Sequence, residues 1–189
     1  MIYLASSSPR RAELLQQIGI EFELLSIDVD EAELVAETPS NYVCRVARAK
    51  ARAGGNVASE KTIPVLAADT IITINDKIIG KPDGQQNCRC ILSQLSGKTH
   101  QVLTCIALYH LGNISHQLST NQVQFRPLDD FEIRNYCASD EPMDKAGAYA
   151  IQGKAAIFVE SLEGSYSSVM GLPLFETAKI LQQAGITVL

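Results

Sequence analysis

A long apolar stretch, IPVLAADTIITI at residues 63–74, limits the folds that are open to this chain. The stretch is rich in β-branched residues, and its length and composition predict a buried β-strand. Asn75-Asp76 follows directly and is typical of a tight turn, so residues 77–80 are expected to return as the second strand of a hairpin. The polar pair Asp69-Thr70 then falls inside a sheet.

Strand and helix patterns alternate along the rest of the chain. Further strands are predicted over residues 2–5, 21–26, 101–111, 115–125, 148–151, 155–162 and 186–189. Helices are predicted over residues 9–18, 40–53, 83–96, 128–138 and 173–184, the second ending at Gly54-Gly55 and the third beginning with a capping box of Asp83 and Gln86. This alternation predicts an α/β fold, a mixed twisted sheet flanked by helices, in one domain over residues 1–189. The order of the strands is not readable.

Composition and charge exclude several classes of protein. Of the 189 residues, 46% are hydrophobic and 20% are charged, which argues against a disordered or fibrous chain. The net charge of −5 argues against a nucleic-acid partner, although a few local cations are enough for a small anion. No apolar run reaches the roughly 18 residues of a membrane span and no secretory signal is recognisable, so a cytoplasmic protein without a membrane partner is expected. Five cysteines, an odd number without a C-x-x-C motif, predict reduced thiols.

Two arginines at the start of the first predicted helix oppose its dipole. Ser8 and Pro9 are expected to begin that helix, so Arg10 and Arg11 fall in its first turn, where acids are favoured. A bound anion would reverse this, because serine hydroxyls such as that of Ser6, free N–H groups and two guanidiniums can hold a phosphate. The alternative is a solvated basic helix start after a serine-rich turn.

Lys50 lies on the apolar side of its predicted helix. Val43, Val46 and Ala47 share its i, i+3, i+4, i+7 stripe. An unpaired ammonium group among them is unfavourable. Lys50 therefore either extends its charged end to the rim of the core, or meets an acid or a ligand phosphate. Spacing alone does not separate these interpretations.

Two carboxylates are candidates for catalysis or metal binding. Asp69 lies inside an apolar strand and needs a partner, either as a general base or metal ligand, or by accepting backbone hydrogen bonds at a strand kink. Glu31 ends the acidic sequence DVDE and is either a second oxygen ligand for a hard cation such as Mg²⁺ or part of a solvated loop.

Two weaker candidates are Lys81 and Gln152. Lys81 precedes a proline that fixes an extended segment, so it either points into a cleft or belongs to a surface turn. Gln152 offers an amide at a sheet edge or in a plain turn. The two common glycine-rich nucleotide-binding motifs do not occur in the sequence.

Together, these residues resemble the Maf family of nucleoside triphosphate pyrophosphatases. The resemblance covers nearly the whole chain. The segments are specific to the family when they occur together in this order, whereas no single segment is specific by itself. Its segments are LASSSPRRAELL at 4–15, Glu31, VARAKA at 46–51, AADTI at 67–71, GKP at 80–82, SDEPMDKAGAYAIQG at 139–153 and GSYSSVMGLPL at 164–174.

The resemblance implies two lobes around a central cleft, similar to the inosine triphosphate pyrophosphatase architecture. It implies hydrolysis of dTTP and UTP to the monophosphate and pyrophosphate with a divalent cation, Mg²⁺ or Mn²⁺. The implied roles are proton acceptor and metal ligand for Asp69, metal ligand for Glu31, phosphate binding for Ser6, Arg11, Lys50 and Lys81, and substrate choice for Arg10, Thr70 and Gln152.

Two other functions are open at this point. A nucleotide-binding regulator of cell division would use the same residues without turnover. An enzyme of the same fold could act mainly on damaged or modified nucleotides. The expected partner is a nucleoside triphosphate, and a homodimer is a candidate assembly on which the sequence is silent.

Overall fold

A mixed seven-stranded sheet with helices on both faces forms the fold, in a computed structural model that describes residues 1–188. The strands are Ile2–Ala5 (β1), Phe22–Leu24 (β2), Val65–Ile74 (β3), Lys77–Ile79 (β4), Thr99–His110 (β5), Asn113–Phe125 (β6) and Val159–Glu163 (β7). The helices are Pro9–Gln17 (α1), Pro39–Val57 (α2), Gln85–Leu95 (α3), Asp130–Cys137 (α4), Tyr166–Val169 (α5) and Leu174–Gln183 (α6). The predicted α/β class and mixed sheet are confirmed.

Strand β3 is the centre of the sheet. The strand order is β2-β1-β3-β5-β6-β7, with β1 parallel to both of its neighbours, the other pairs antiparallel, and β4 paired with β3 as the predicted hairpin. Along one edge of β3, residues 65–67 pair with β1 and residues 72–74 pair with β4. Between them, residues 68–71 have no strand partner on that edge within the described part of the chain. Asp69 and Thr70 lie in this gap.

The core surrounds the gap and divides into three clusters within residues 1–188. Alternate residues of β1 face opposite sides of the sheet, so Tyr3 and Ala5 pack with α2 while Ile2 and Leu4 pack with α1 and α6. A third cluster, around the fully buried Phe125, holds α3 and α4 against the far half of the sheet. The first two clusters form one lobe and the third forms the other.

Helix α2 is longer than predicted, and the expectation that Gly54-Gly55 ends it is wrong. The helix begins after Thr38, whose hydroxyl accepts the Asn41 N–H, and continues through both glycines. A Cβ atom on Gly54 would lie 2.6 Å from Val65, and one on Gly55 would lie 2.4 Å from the Tyr109 ring. The two glycines therefore serve close packing on β3 and β5, which outweighs their poor helix propensity.

Three smaller predictions about elements are also wrong. Helix α3 begins after Gly84, so Asp83 lies outside it and forms no capping box; the capping box of this chain is at the start of α4, between Asp129 and Glu132. Residues 148–151 form no strand, because a short 3-10 turn over Ala146–Ala148, in which Gly147 and Ala148 have positive φ angles, redirects the chain just before them. Residues 154–158 form a short 3-10 turn, and the strand predicted for residues 155–162 begins only at β7.

The predicted closing strand is absent from the described residues. Residues 186–188 have no strand pairing, and Ile186 and Val188 instead pack against the cluster formed by α1 and α6. The last residue of that prediction, Leu189, lies outside the described residues.

The prediction that all five cysteines are reduced is wrong for one pair. Cys88 of α3 and Cys137 of α4 form a disulfide, with Cα atoms 5.9 Å apart and both side chains fully buried. Because 49 positions separate them, no local spacing signalled the bond. Cys44, Cys90 and Cys105 are free thiols.

No helix within residues 1–188 combines the length and the apolar character that crossing a membrane requires.

Candidate active site

An open cleft of about 800 Å³ lies along the gap in the sheet edge. Its wall includes all nine predicted site residues, Ser6, Arg10, Arg11, Glu31, Lys50, Asp69, Thr70, Lys81 and Gln152. Five basic and five acidic side chains line it, so its formal charge is balanced although the chain as a whole carries −5. The cleft should therefore repel an anion less than the rest of the surface does.

One group in the cleft is a lysine between two carboxylates. Lys50 Nζ lies 2.8 Å from Asp69 Oδ1 and 2.8 Å from Glu31 Oε1. The side chains of Lys50 and Asp69 are only 12% and 11% exposed, whereas that of Glu31 is 51% exposed. Of the alternatives that spacing left open for Lys50, the structure selects the acid.

Tyr42 fixes the loop that carries Glu31. Its hydroxyl donates a hydrogen bond of 2.8 Å to the Glu31 backbone carbonyl, and its ring is buried at the cleft wall. Burial, reinforced by the nearby charges of Asp69 and Glu31, raises the pKa of Tyr42 to about 12. The phenol therefore stays protonated and keeps donating at neutral pH.

A second group forms on the other side of the sheet, because successive residues of β3 point in opposite directions. Arg11 Nη1 lies 3.2 Å from Ser6 Oγ, Nη2 lies 3.3 Å from Thr70 Oγ1, and Nε lies 2.9 Å from the Gly171 carbonyl. All three acceptors are neutral. Burial lowers the pKa of Arg11 from its ordinary value, and the negative charge of Asp69 opposes that shift.

The other three predicted residues line the cleft with free side chains. Within residues 1–188, Arg10, Lys81 and Gln152 make no side-chain hydrogen bond, and Lys81 and Gln152 are exposed. Lys145 was not among the nine predicted site residues, yet its side chain lines the cleft, is 15% exposed and pairs with Asp144. The turn at Ala146–Ala148 follows Lys145 directly and sets its position.

Sequence reasoning also missed the polar side chains behind Thr70. Thr104 of β5, Asn121 of β6 and Ser168 of α5 are buried and joined by hydrogen bonds. The available signal was polarity inside apolar strands, as at Asp69, but threonine and serine are too common in strands and turns to stand out.

The side chains at this site that are suited to bind a metal are carboxylates, which bind through oxygen. Among the described residues, no group of three or more histidine, cysteine or acidic side chains is placed to hold an ion. The carboxylates of Glu31 and Asp69 nevertheless converge on one cation, the Lys50 ammonium. A pair of carboxylates fits the usual protein share of a Mg²⁺ site, which phosphate oxygens and waters complete.

The sequence model of the family described as Maf-like protein matches residues 1–184. The chain belongs to the Maf family. A Maf relative from Aromatoleum aromaticum, named dTTP/UTP pyrophosphatase, is 50% identical over 196 aligned residues that cover 97% of this chain and 95% of the relative. Relatives with the same name from Dechloromonas aromatica and Nitrosospira multiformis are 49% and 48% identical, covering 97% and 99% of this chain and 97% and 96% of their own lengths.

Proposed function

We propose that this chain hydrolyses dTTP and UTP between the α- and β-phosphates, releasing the nucleoside monophosphate and pyrophosphate. The observation that carries the proposal is one cleft that holds both a half-buried arginine without a carboxylate partner and a pair of carboxylates gathered around a lysine. The shared name of the relatives supports the choice of substrates.

Arg11 is suited to hold the triphosphate. A guanidinium has five N–H donors, and the three hydrogen bonds to Ser6, Thr70 and Gly171 use three of them. The two N–H groups that remain are held in a fixed fork, and the positive charge is not neutralised by a direct carboxylate contact. Such a fork matches phosphate oxygens, and Arg10, Lys81 and Lys145 supply further positive charge along the cleft.

Asp69 is suited to accept the proton of the attacking water. A new bond forms between the water oxygen and the α-phosphorus, the bond from that phosphorus to the α–β bridging oxygen breaks, and the water proton passes to the Asp69 carboxylate. Lys50 holds this carboxylate in place at 2.8 Å. Pyrophosphate leaves with the bridging oxygen, and the cleft cations stabilise its charge.

A divalent cation, Mg²⁺ or Mn²⁺, would be held by Glu31 and Asp69. Bound there, it would supply a Lewis acid that draws electron density from phosphate oxygens. Lys50 contacts both carboxylates, and its ammonium group would add positive charge beside the phosphates.

Gln152 is suited to select the base. Its exposed amide offers one acceptor and two donors, which can pair at once with the N3–H and a carbonyl oxygen of uracil or thymine. A site built on such pairs discriminates far better than one that relies on shape alone.

The test is a hydrolysis panel of UTP, dTTP, CTP, GTP and ATP with Mg²⁺, with Mn²⁺ and with a chelator, in which pyrophosphate and phosphate are measured separately. The proposal expects pyrophosphate from UTP and dTTP and loss of turnover in the chelator. Orthophosphate as the product, or a purine as the best substrate, would overturn it. Tight binding of UTP without any product would favour the nucleotide-binding regulator.

A further inference from the structure

A chain of buried hydrogen bonds begins at Thr70 and leads away from the cleft. Thr70 Oγ1 lies 3.0 Å from Thr104 Oγ1, which lies 2.8 Å from the Ser168 carbonyl oxygen. Thr104 and Ser168 are fully buried and do not line the cleft, whereas Thr70 does. Thr104 therefore acts on a ligand only through Thr70.

Counting protons fixes the direction of this chain. A carbonyl oxygen can only accept, so the single hydroxyl proton of Thr104 is donated to Ser168. Thr104 then has no proton for Thr70, and the Thr70 hydroxyl must donate to Thr104. Thr70 also accepts a hydrogen bond from Arg11 Nη2 at 3.3 Å. It has no proton left for a ligand, and one lone pair remains.

Asn121, which is 1% exposed, anchors the end of this hydrogen-bond chain that lies far from the cleft. Its Nδ2 donates to the Val102 carbonyl at 3.1 Å and to Ser168 Oγ at 2.9 Å, and its Oδ1 accepts the Ser165 N–H at 2.7 Å. Because a carbonyl must accept and a backbone N–H must donate, the amide cannot flip.

The segment 165–172 that Asn121 anchors also holds Arg11. The Gly171 carbonyl accepts the Arg11 Nε–H, while the Ser168 carbonyl accepts both the Thr104 hydroxyl and the Gly171 N–H, which fills its two lone pairs. The same segment thus orients the arginine through Gly171 and, through Ser168 and Thr104, the hydroxyl of Thr70.

We propose that Thr104 is a positioning residue that makes Thr70 a hydrogen-bond acceptor, and not a donor, toward the nucleoside of the substrate. This inference rests on the proposed function, because it assumes a nucleotide in the cleft. The ligand chemistry is a donor group on the nucleoside. The nucleoside donors that UTP and dTTP share are the N3–H of the base and the 3′-hydroxyl of the sugar, and cytosine differs by presenting an N3 acceptor.

The experiment compares kcat/KM for UTP, CTP and 3′-deoxy-UTP in wild type, Thr104→Val and Thr104→Ser. Valine keeps the shape of Thr104 but frees the Thr70 hydroxyl to turn and donate. We expect Thr104→Val to narrow the preference for UTP by about threefold to tenfold, the range of one neutral hydrogen bond. A smaller ratio of kcat/KM for UTP over CTP would identify the N3–H of the base as the donor that Thr70 accepts. A smaller ratio for UTP over 3′-deoxy-UTP would identify the 3′-hydroxyl of the sugar. Serine keeps the hydroxyl and should retain the wild-type ratios.

Thr73→Val is the matched control, because Thr73 is a buried threonine of β3 outside this chain of hydrogen bonds. Unchanged ratios in Thr104→Val, or an equal loss with all three nucleotides, would overturn the inference. If Thr104→Val does not fold, Thr70→Val in place of it must lose the preference for UTP. If the wild type releases no pyrophosphate from UTP, the proposed function is overturned and not this inference. The inference would then be tested by comparing the Kd values of the three nucleotides, measured in chelator, between wild type and Thr104→Val.

Discussion

Replacing Lys50 with methionine should destabilise the protein in the absence of any ligand. Methionine keeps much of the apolar stem but leaves Asp69, with a side chain only 11% exposed, without its cation. Removing one partner of a buried ion pair costs about 3–5 kcal/mol. Glu31, at 51% exposed, regains water, so we take the lower end of that range, about 3 kcal/mol.

Urea unfolding at pH 7 in chelator measures this loss, and thermal unfolding should show a fall in Tm of about 6–12 °C for a chain of this size. The double variant Lys50→Met with Asp69→Asn removes both charges and should recover most of the stability. Arg48→Met, an exposed change on the same helix, should stay within about 0.5 kcal/mol of wild type. A Lys50→Met protein as stable as wild type would refute the reasoning.

Four further predictions follow from the site and the core. Asp69→Asn should lower kcat with UTP by about a hundredfold or more at saturating metal, while near-normal turnover would remove Asp69 from the chemistry. Gln152→Ala should reduce the ratio of kcat/KM for UTP over CTP, and an unchanged ratio would exclude Gln152 from base selection. Burial lowers the pKa of His100 to about 4, so on acidification the unfolded chain binds a proton before the folded protein does. The free energy of unfolding should therefore decrease as the pH drops from 6.5 to about 4, by at most about 3 kcal/mol. In acid titrations, His100→Gln should show a smaller decrease. Gly55→Ala should lower stability by about 1–2 kcal/mol in urea unfolding despite a better helix propensity, because its Cβ would lie 2.4 Å from an aromatic ring, whereas Gly84→Ala meets nothing within 4 Å and should be nearly neutral.

Elements whose ends depend on local chemistry were predictable from the sequence. Strand β1, helix α1 with Pro9 at its first turn, and the β3–β4 hairpin match the structure because their signals lie within a few residues of each end. The C-terminal end of helix α2 was not predictable, because the helix continues through Gly54 and Gly55 by packing against strands that are distant in sequence.

The site residues could be found because they violate the rules of a core or of a helix end. Asp69 and Lys50 stood out as charges among apolar residues, and the structure shows that each explains the other. That pairing could not be read from the sequence, because it depends on how α2 crosses β3. Thr104 is a common residue in strands and did not stand out, since its importance comes from the hydrogen bonds that join it to Thr70 and Ser168.

Strand β3 belongs to both lobes, and its register with β5 runs without interruption from Val65 to Thr73. Moving one lobe against the other would therefore require bending paired strands, because β3 and β5 stay paired across both lobes. Such bending is opposed by every hydrogen bond of the ladder, so large excursions of the lobes are disfavoured. Folding itself thus preorganises the geometry around Asp69 and Thr70. The conformational entropy of these residues is lost on folding, so little more would be lost when the substrate binds.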